Sequence, residues 1–297
     1  MDQARRNHQV ESVARIVLLA CASFVILAMV LLLGYLISEG TKTFTTDHVS
    51  VATFLFSPNF AIDDGKPGSL VFIVGTLAVT LFAIVIGGPF GIAVGVFLAE
   101  IAPARMTQIL KPAIEVMVGI PSVVYGWLGL TLLVPLIRTH TTSPSGFGLA
   151  AAGIVLAIMI LPTVASVTIE VLRTMPSSLR EGALALGATR WEAIRAVVLP
   201  YANRGILGAI ILGLARALGE TMAVTMLIGN QPEIHFSLFA AGYSLPSVIA
   251  NEFAEASGAI HTGALAGLAL ILFGVTLLLS AGARLLVRLS AKRLVAA

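Results

Sequence analysis

The sequence predicts an all-α integral membrane protein of six transmembrane helices, with both termini cytoplasmic. Three observations predict it. Of the 297 residues, 58% are hydrophobic and only 11% charged, where soluble domains hold about 45–50% and about 25%. The apolar residues gather into six runs of the ~20 residues that a helix needs to cross a bilayer. Lysine and arginine are divided very unequally between the segments that join those runs, a bias that orients membrane helices. The mean hydropathy is +0.99. The net charge of +3 is small, so its distribution says more than its total.

The runs fall at about 16–37, 70–98, 112–136, 149–172, 205–229 and 262–286. The first exceeds the ~7–15 apolar residues of a signal peptide. Ser38-Glu39-Gly40-Thr41 is not a small-x-small cleavage site, so a retained helix is expected. This run holds Cys21, the only cysteine, which excludes an intramolecular disulfide. Residues 38–69 form an outer loop with Asp47, Asp63 and Asp64, and 99–111 a short inner turn. Residues 137–148 are a short outer turn, and 173–204 an inner loop with five arginines. Residues 230–261 form an outer loop that carries Glu233, Glu252 and Glu255 and no lysine or arginine. With the N-terminus inside, fourteen basic residues are cytoplasmic and three (Lys42, Lys66 and Arg138) are outside; Arg216 lies within a span. The chain reads as a single membrane domain over 1–297.

Glycine and proline punctuate the spans. Gly87, Gly91 and Gly95 in "GGPFGIAVG" recur every four residues and so share one helix face, where small residues let two backbones approach. Pro89, Pro121 and Pro162 are expected to bend spans two, three and four by removing a backbone donor. Ordinary membrane-helix packing explains these residues; bends that open a cavity or permit rocking explain them as well.

The inner loop reads "PSSLREGALALGATRWEAIRAVVLP" over 176–200. Ser178-x-x-Glu181 and Thr189-x-x-Glu192 both fit the capping box. The first short helix carries Leu179, Ala183 and Leu186 and stops at Gly187, which tolerates a left-handed backbone. The second carries Trp191, Ile194 and Val198 along one side, and Pro200 ends it. This amphipathic basic elbow suits either anionic lipid headgroups or a groove in a cytoplasmic partner.

Span five contains "GLARALGETMAV". At ~1.5 Å per residue, Arg216 lies about 18 Å from Arg204, just past mid-membrane. A charge there costs about 2.5–3.5 kcal/mol on insertion scales and must face the bundle or a wet cavity. Arg216 and Glu220, at i and i+4, can touch. They form an internal ion pair, or Arg216 attracts an anion while Glu220 orients it and limits its retention; both can hold. A guanidinium matches phosphate oxygens in pairs. Thr76, Thr80, Ser122, Tyr125, Thr221 and Thr225 are candidates for the same cavity, although such hydroxyls more often bond their own backbone. Glu115 and Glu170, near the cytoplasmic ends of spans three and four, could form a gate, but pairing with inner-loop arginines is the expectation.

The order Glu181, Ala183, Gly187, Val197, Leu199, Pro200 resembles the EAA loop of ABC-importer permeases, with Gly182 and Val197 replacing the usual alanine and isoleucine. "IPSVVYGWLGL", the elbow, "GLARALGETMAVTMLIGN" and "SVIANEFAEA" are similar, in order and register, to phosphate-importer permease subunits of the PstC type. The resemblance covers nearly the whole chain. It implies a type I importer permease bundle in the bacterial cytoplasmic membrane, with phosphate as cargo. It also implies three kinds of partner: a second permease of the PstA type, two copies of an ATPase that bind ATP and Mg, and a phosphate-binding protein outside. Glu181, Ala183, Gly187, Val197, Leu199 and Pro200 would dock the ATPase. Arg216 and Glu220 match the family's charged pair, and Asn251 and Glu252 fall where its outer loop meets the binding protein.

The residues also narrow the function class. No G-x-x-x-x-G-K-[ST] loop is present, so no cofactor is expected in this chain and ATP must act through another subunit. No nucleophile–base arrangement stands out, and His140, His235 and His261 lie in separate segments without a spaced carboxylate. An enzyme is not expected, nor a nucleic-acid partner. A lone ion-coupled carrier would not need the elbow and would usually show more spans or an evident repeat. A sulfate or molybdate permease fits the elbow but fits "RALGETMAV" less well, and the PstA-type sister fits the "NEFAEA" loop less well.

Overall fold

A computed structural model describes residues 2–45, 49–61, 66–141, 143–235, 237–256 and 258–295. The acidic positions Asp47, Asp63 and Asp64 lie outside the described residues. The architecture is all-α. Among the described residues six helices are long and apolar enough to span a membrane: Val13–Thr45, Leu70–Ile101, Ser122–His140, Leu149–Arg173, Arg190–Gly219 and Ile260–Leu285.

Helix α1 (Asp2–Thr45) begins before its apolar run and continues past it. Its spanning window is exposed throughout, and an apolar surface of that kind suits contact with lipid. Its last turns pack on the final helix, where Gly40 meets Gly267 and Leu270. The loop expected at 38–69 is partly this helix. The remainder holds α2 (Val51–Phe56) and an antiparallel pair, β1 (Phe60–Ala61) with β2 (Lys66–Pro67).

Helix α3 (Leu70–Val96) runs through Pro89 and ends in a π-helical turn, Phe97–Ile101. The third apolar run is not one helix. It divides into α4 (Ala104–Gly119) and α5 (Ser122–Leu128), which continues through a π turn at Gly129–Leu133 into α6 (Val134–His140). Helix α7 (Leu149–Arg173) passes through Pro162. Of the three prolines only Pro121 interrupts its helix; α3 and α7, continuous through Pro89 and Pro162, pack closely on each other. A Cβ on Gly87 would lie 2.6 Å from the Ala157 carbonyl, on Gly91 2.9 Å from the Leu161 carbonyl, and on Gly95 3.0 Å from the Ala165 carbonyl. Each step of four along α3 thus faces one of about four along α7, the close approach that small residues permit.

The elbow comprises α8 (Ser177–Ala185) and α9 (Arg190–Ala193). Helix α8 starts directly after Pro176, so Ser178 lies inside it and the first expected capping box does not form. The second does: Thr189 N donates to Glu192 Oε2 at 2.8 Å, and Glu192 N donates to Thr189 Oγ1 at 3.3 Å. Gly187, at φ +89°, ends α8 as expected. Its amide donates to the Leu184 carbonyl while Ala188 N donates to the Ala183 carbonyl, the paired bonds of a left-handed helix stop.

Pro200 does not end the second elbow helix. A π turn at Ile194–Val198 leads into α10 (Leu199–Gly219), so α9 and span five form one rod, with α8 set off from it by the turn at Gly187. The Leu199 amide donates to the Ile194 carbonyl, five residues back, and this wider turn accommodates the proline in the first turn of α10. Ile194 and Val198 are buried with Leu172, Met175 and Ala202. Trp191, expected on the same side, is exposed. Span five then breaks at Glu220 and resumes as α11 (Met222–Leu227). The outer loop at 230–261 contains α12 (Leu245–Glu252), and α13 (Gly258–Val295) completes the bundle. Phe72 and Tyr243 meet edge to face at 5.3 Å in the core beneath α12.

Gly91→Leu is expected to force α3 from α7, lowering stability by about 1–3 kcal/mol as overpacking does. Gly88→Ala, whose added Cβ meets nothing within 4 Å, should be neutral or stabilising. Thermal unfolding in detergent distinguishes the two.

Candidate functional site

The breaks in spans three and five converge on one site. Pro121 has no amide hydrogen, so the Met117 carbonyl loses its usual helical donor and accepts the Ile120 amide instead, at a long 3.4 Å. The Tyr125 hydroxyl donates to that carbonyl at 3.0 Å. The next carbonyl, of Val118, accepts from Arg216 Nη2 at 3.4 Å, and Arg216 Nη1 donates to Thr163 Oγ1 at 3.3 Å. Both bonds are long beside the ~2.7–2.9 Å of tight charge-assisted bonds. The other guanidinium donors meet no partner among the described residues. Arg216 is half-buried.

Arg216 and Glu220 do not form the ion pair that is one of the two readings of their spacing. No salt bridge among the described residues joins them. The i, i+4 geometry requires a continuous helix, whereas α10 ends at Gly219 and Glu220 is extended at φ −73°, ψ 120°. Each charge instead sits at the helix end that favours it. Arg216 lies in the last turn of α10, where the dipole attracts a cation. The Glu220 carboxylate accepts the Ala223 amide at 3.4 Å, at the start of α11. Such placements contribute about 0.3–1 kcal/mol each.

The remaining candidates divide. Thr76 and Thr80 are buried and line a crevice with Glu220, Ser244 and Pro246. Its interior of about 10 Å³ is at the threshold for a single water and too small for an oxyanion. Thr76 donates to the Phe72 carbonyl and accepts the Leu245 amide at 2.8 Å. Thr221 and Thr225 bond backbone carbonyls. Ser122, half-buried, is the first residue of α5. Thr163 and the Val118 carbonyl, the two groups that hold Arg216, went unread in the sequence. The first is 53 residues away from Arg216, and the second is backbone.

At the other end of span five, Glu181 and Pro200 are exposed and Ala183, Val197 and Leu199 half-buried. Leu186 stands 91% exposed at the elbow's tip. Glu115 and Glu170 both pair with Lys111, at 3.8 and 2.6 Å, rather than with arginines of the loop. On the opposite face Asn251 Nδ2 donates to the Tyr243 hydroxyl at 3.0 Å. Burial pushes that hydroxyl's pKa above its ordinary value; the Asn251 bond opposes this, and Glu252 and Glu255 reinforce it. Two histidines do find carboxylates: His235 with Glu233 at 3.3 Å and His261 with Glu252 at 3.7 Å. Among the described residues no group of three or more His, Cys, Asp or Glu is placed to hold a metal.

Six apolar helices, two of them broken around a half-buried arginine, define a multi-pass membrane protein with a polar site inside the bundle. Residues 91–295 match the family described as the binding-protein-dependent transport system inner membrane component, and the chain belongs to that family. It is 41% identical over 279 residues to the probable ABC transporter permease protein YqgH of Bacillus subtilis, covering 93% of this chain and 90% of that protein. It is 40% identical over 287 residues to the phosphate transport system permease protein PstC of Mesorhizobium japonicum, covering 90% and 88%. The fold is also similar to a chain of the MetNI methionine ABC transporter in an inward-facing conformation, with a TM-score of 0.58 at 22% identity over 75% of this chain and 97% of that one.

Tyr125→Phe is expected to lower unfolding stability by about 0.5–1.5 kcal/mol, the ordinary contribution of one hydrogen bond. A lower thermal midpoint in detergent would register it; an unchanged midpoint would mean the hydroxyl does not support the break.

Proposed function

We propose that the chain is the transmembrane permease subunit of an ATP-driven inorganic phosphate importer. It forms half of the translocation pathway, in the bacterial cytoplasmic membrane, with both termini cytoplasmic and all 297 residues in a single membrane domain. It hydrolyses nothing itself. Two copies of a partner ATPase bind ATP and Mg, a second permease of the PstA type completes the pathway, and a phosphate-binding protein docks outside.

Arg216 carries this reading. It is a permanent cation near mid-span, half-buried, held by two long bonds and unpaired with Glu220. Its spare planar donors suit an oxyanion, and weak existing bonds are readily exchanged for stronger ones. Relatives named as phosphate permeases support phosphate over other oxyanions. Glu220 tempers retention from the adjoining helix end; Tyr125, Ser122 and Thr221 border the break, while Thr76 and Thr80 shape the neighbouring crevice. Glu181, Ala183, Gly187, Val197, Leu199 and Pro200 form the ATPase-facing elbow, and Asn251 and Glu252 the contact with the binding protein. The excess of lysine and arginine on the elbow side supports the orientation.

The test is ATP-dependent phosphate uptake by the reconstituted complex, with sulfate as control. Arg216→Gln, which removes charge at similar bulk, should abolish phosphate uptake in a complex that still assembles. Full uptake by the mutant would reduce Arg216 to a tie between spans three, four and five.

A further inference from the structure

Helix α8 has no buried residue. Its leucines, Leu179 and Leu184, are 40% and 41% exposed, so apolar packing does not fasten it to the bundle. Among the described residues its one side-chain bond to another element is a fork: Arg180 Nε donates to Glu100 Oε2 at 2.7 Å, and Arg180 Nη2 donates to Glu100 Oε1. The Glu100 side chain is only 4% exposed, and that of Arg180 33%. A cavity of about 220 Å³ beside the pair, lined by Leu184, Arg190, Ala193 and Ile194, keeps α8 standing off the bundle.

Glu100 belongs to the π turn that ends span two. The chain itself joins the elbow to spans four and five, so the fork adds a third attachment, to span two. That span carries the glycine face against α7 and lines the Glu220 crevice with Thr76 and Thr80. A bidentate pair fixes orientation as well as distance. Parting the pair would leave the buried Glu100 carboxylate without its cation, so the attachment resists separation.

We propose that Glu100 and Arg180 are positioning residues that make α8 and span two move as one body. A displacement of the elbow by a cytoplasmic partner then reaches span two directly, and not only through the chain into spans four and five. This rests on the reading of the elbow as the ATPase-facing element.

The test uses the complete complex in a bilayer, with Cys21→Ala and spin labels at Ile101→Cys and Ala185→Cys, both exposed positions. The expected distance distribution is narrow and equal in nucleotide-free and ATP-bound states. Glu100→Gln should broaden it and lower solute uptake per ATP hydrolysed about tenfold or more, the loss of a buried partner being severe. Arg180→Glu with Glu100→Arg should restore both. A label distance that differs between the two states without the mutation would overturn the proposal. So would a Glu100→Gln complex that assembles with unchanged distance and uptake ratio, or a reversed pair that assembles and stays uncoupled. The distance readout is independent of the cargo, so an error in the phosphate assignment would show in uptake selectivity alone.

Discussion

The structure depends on the backbone groups that Pro121 sets free. At membrane depth a carbonyl needs a partner from the protein or from a water-lined cavity, because an unmet group in hydrocarbon costs several kcal/mol. Proline deprives the Met117 carbonyl of its helical donor, and the chain departs from the helix at Gly119–Pro121. Tyr125, together with the Ile120 amide, answers one carbonyl and Arg216 the next. The guanidinium that looks out of place in an apolar run is thus part of the solution to a backbone problem. Because its bonds are long and partial, it holds spans three, four and five together without being used up.

The second break follows the same economy of charge. A continuous span five would set Arg216 and Glu220 side by side and neutralise both. Ending α10 at Gly219 separates them and assigns each to the helix terminus of opposite sign. Broken helices whose ends line a mid-membrane site are the means by which transporters bind ions without dedicated cofactors. The surrounding frame is rigid by comparison: α3 and α7 interlock along Gly87, Gly91 and Gly95, and α9 and span five form one rod. Movement is therefore expected at the turn between α8 and α9 and at the breaks rather than within the α3–α7 pair.

The six spans and the glycine face were legible because hydropathy and four-residue spacing are local properties of the sequence. The capping box at Thr189 and the stop at Gly187 were legible for the same reason. Pro121 and Pro162 look alike in sequence, yet only the former breaks its helix; α7 packs closely on α3, and the Pro121 segment has a tyrosine to receive its carbonyl. The break at Glu220 was hidden because apolar composition continues across it. Ser178 failed as a cap because the chain enters the helix straight from Pro176. Thr163 beside Arg216 and Glu100 beside Arg180 join residues 53 and 80 positions apart, a pairing that only tertiary structure creates.

The central claim is that Arg216, left unpaired by the helix break, is the group that meets the oxyanion. Solid-state NMR of the complete complex in phosphorus-free detergent tests it most directly, by dephasing of ¹⁵N-labelled arginine side chains by ³¹P of added phosphate. The account predicts dephasing of one guanidinium signal, absent without phosphate and lost in Arg216→Gln. A dephased signal that survives that substitution, or none under conditions that sustain uptake, would contradict it.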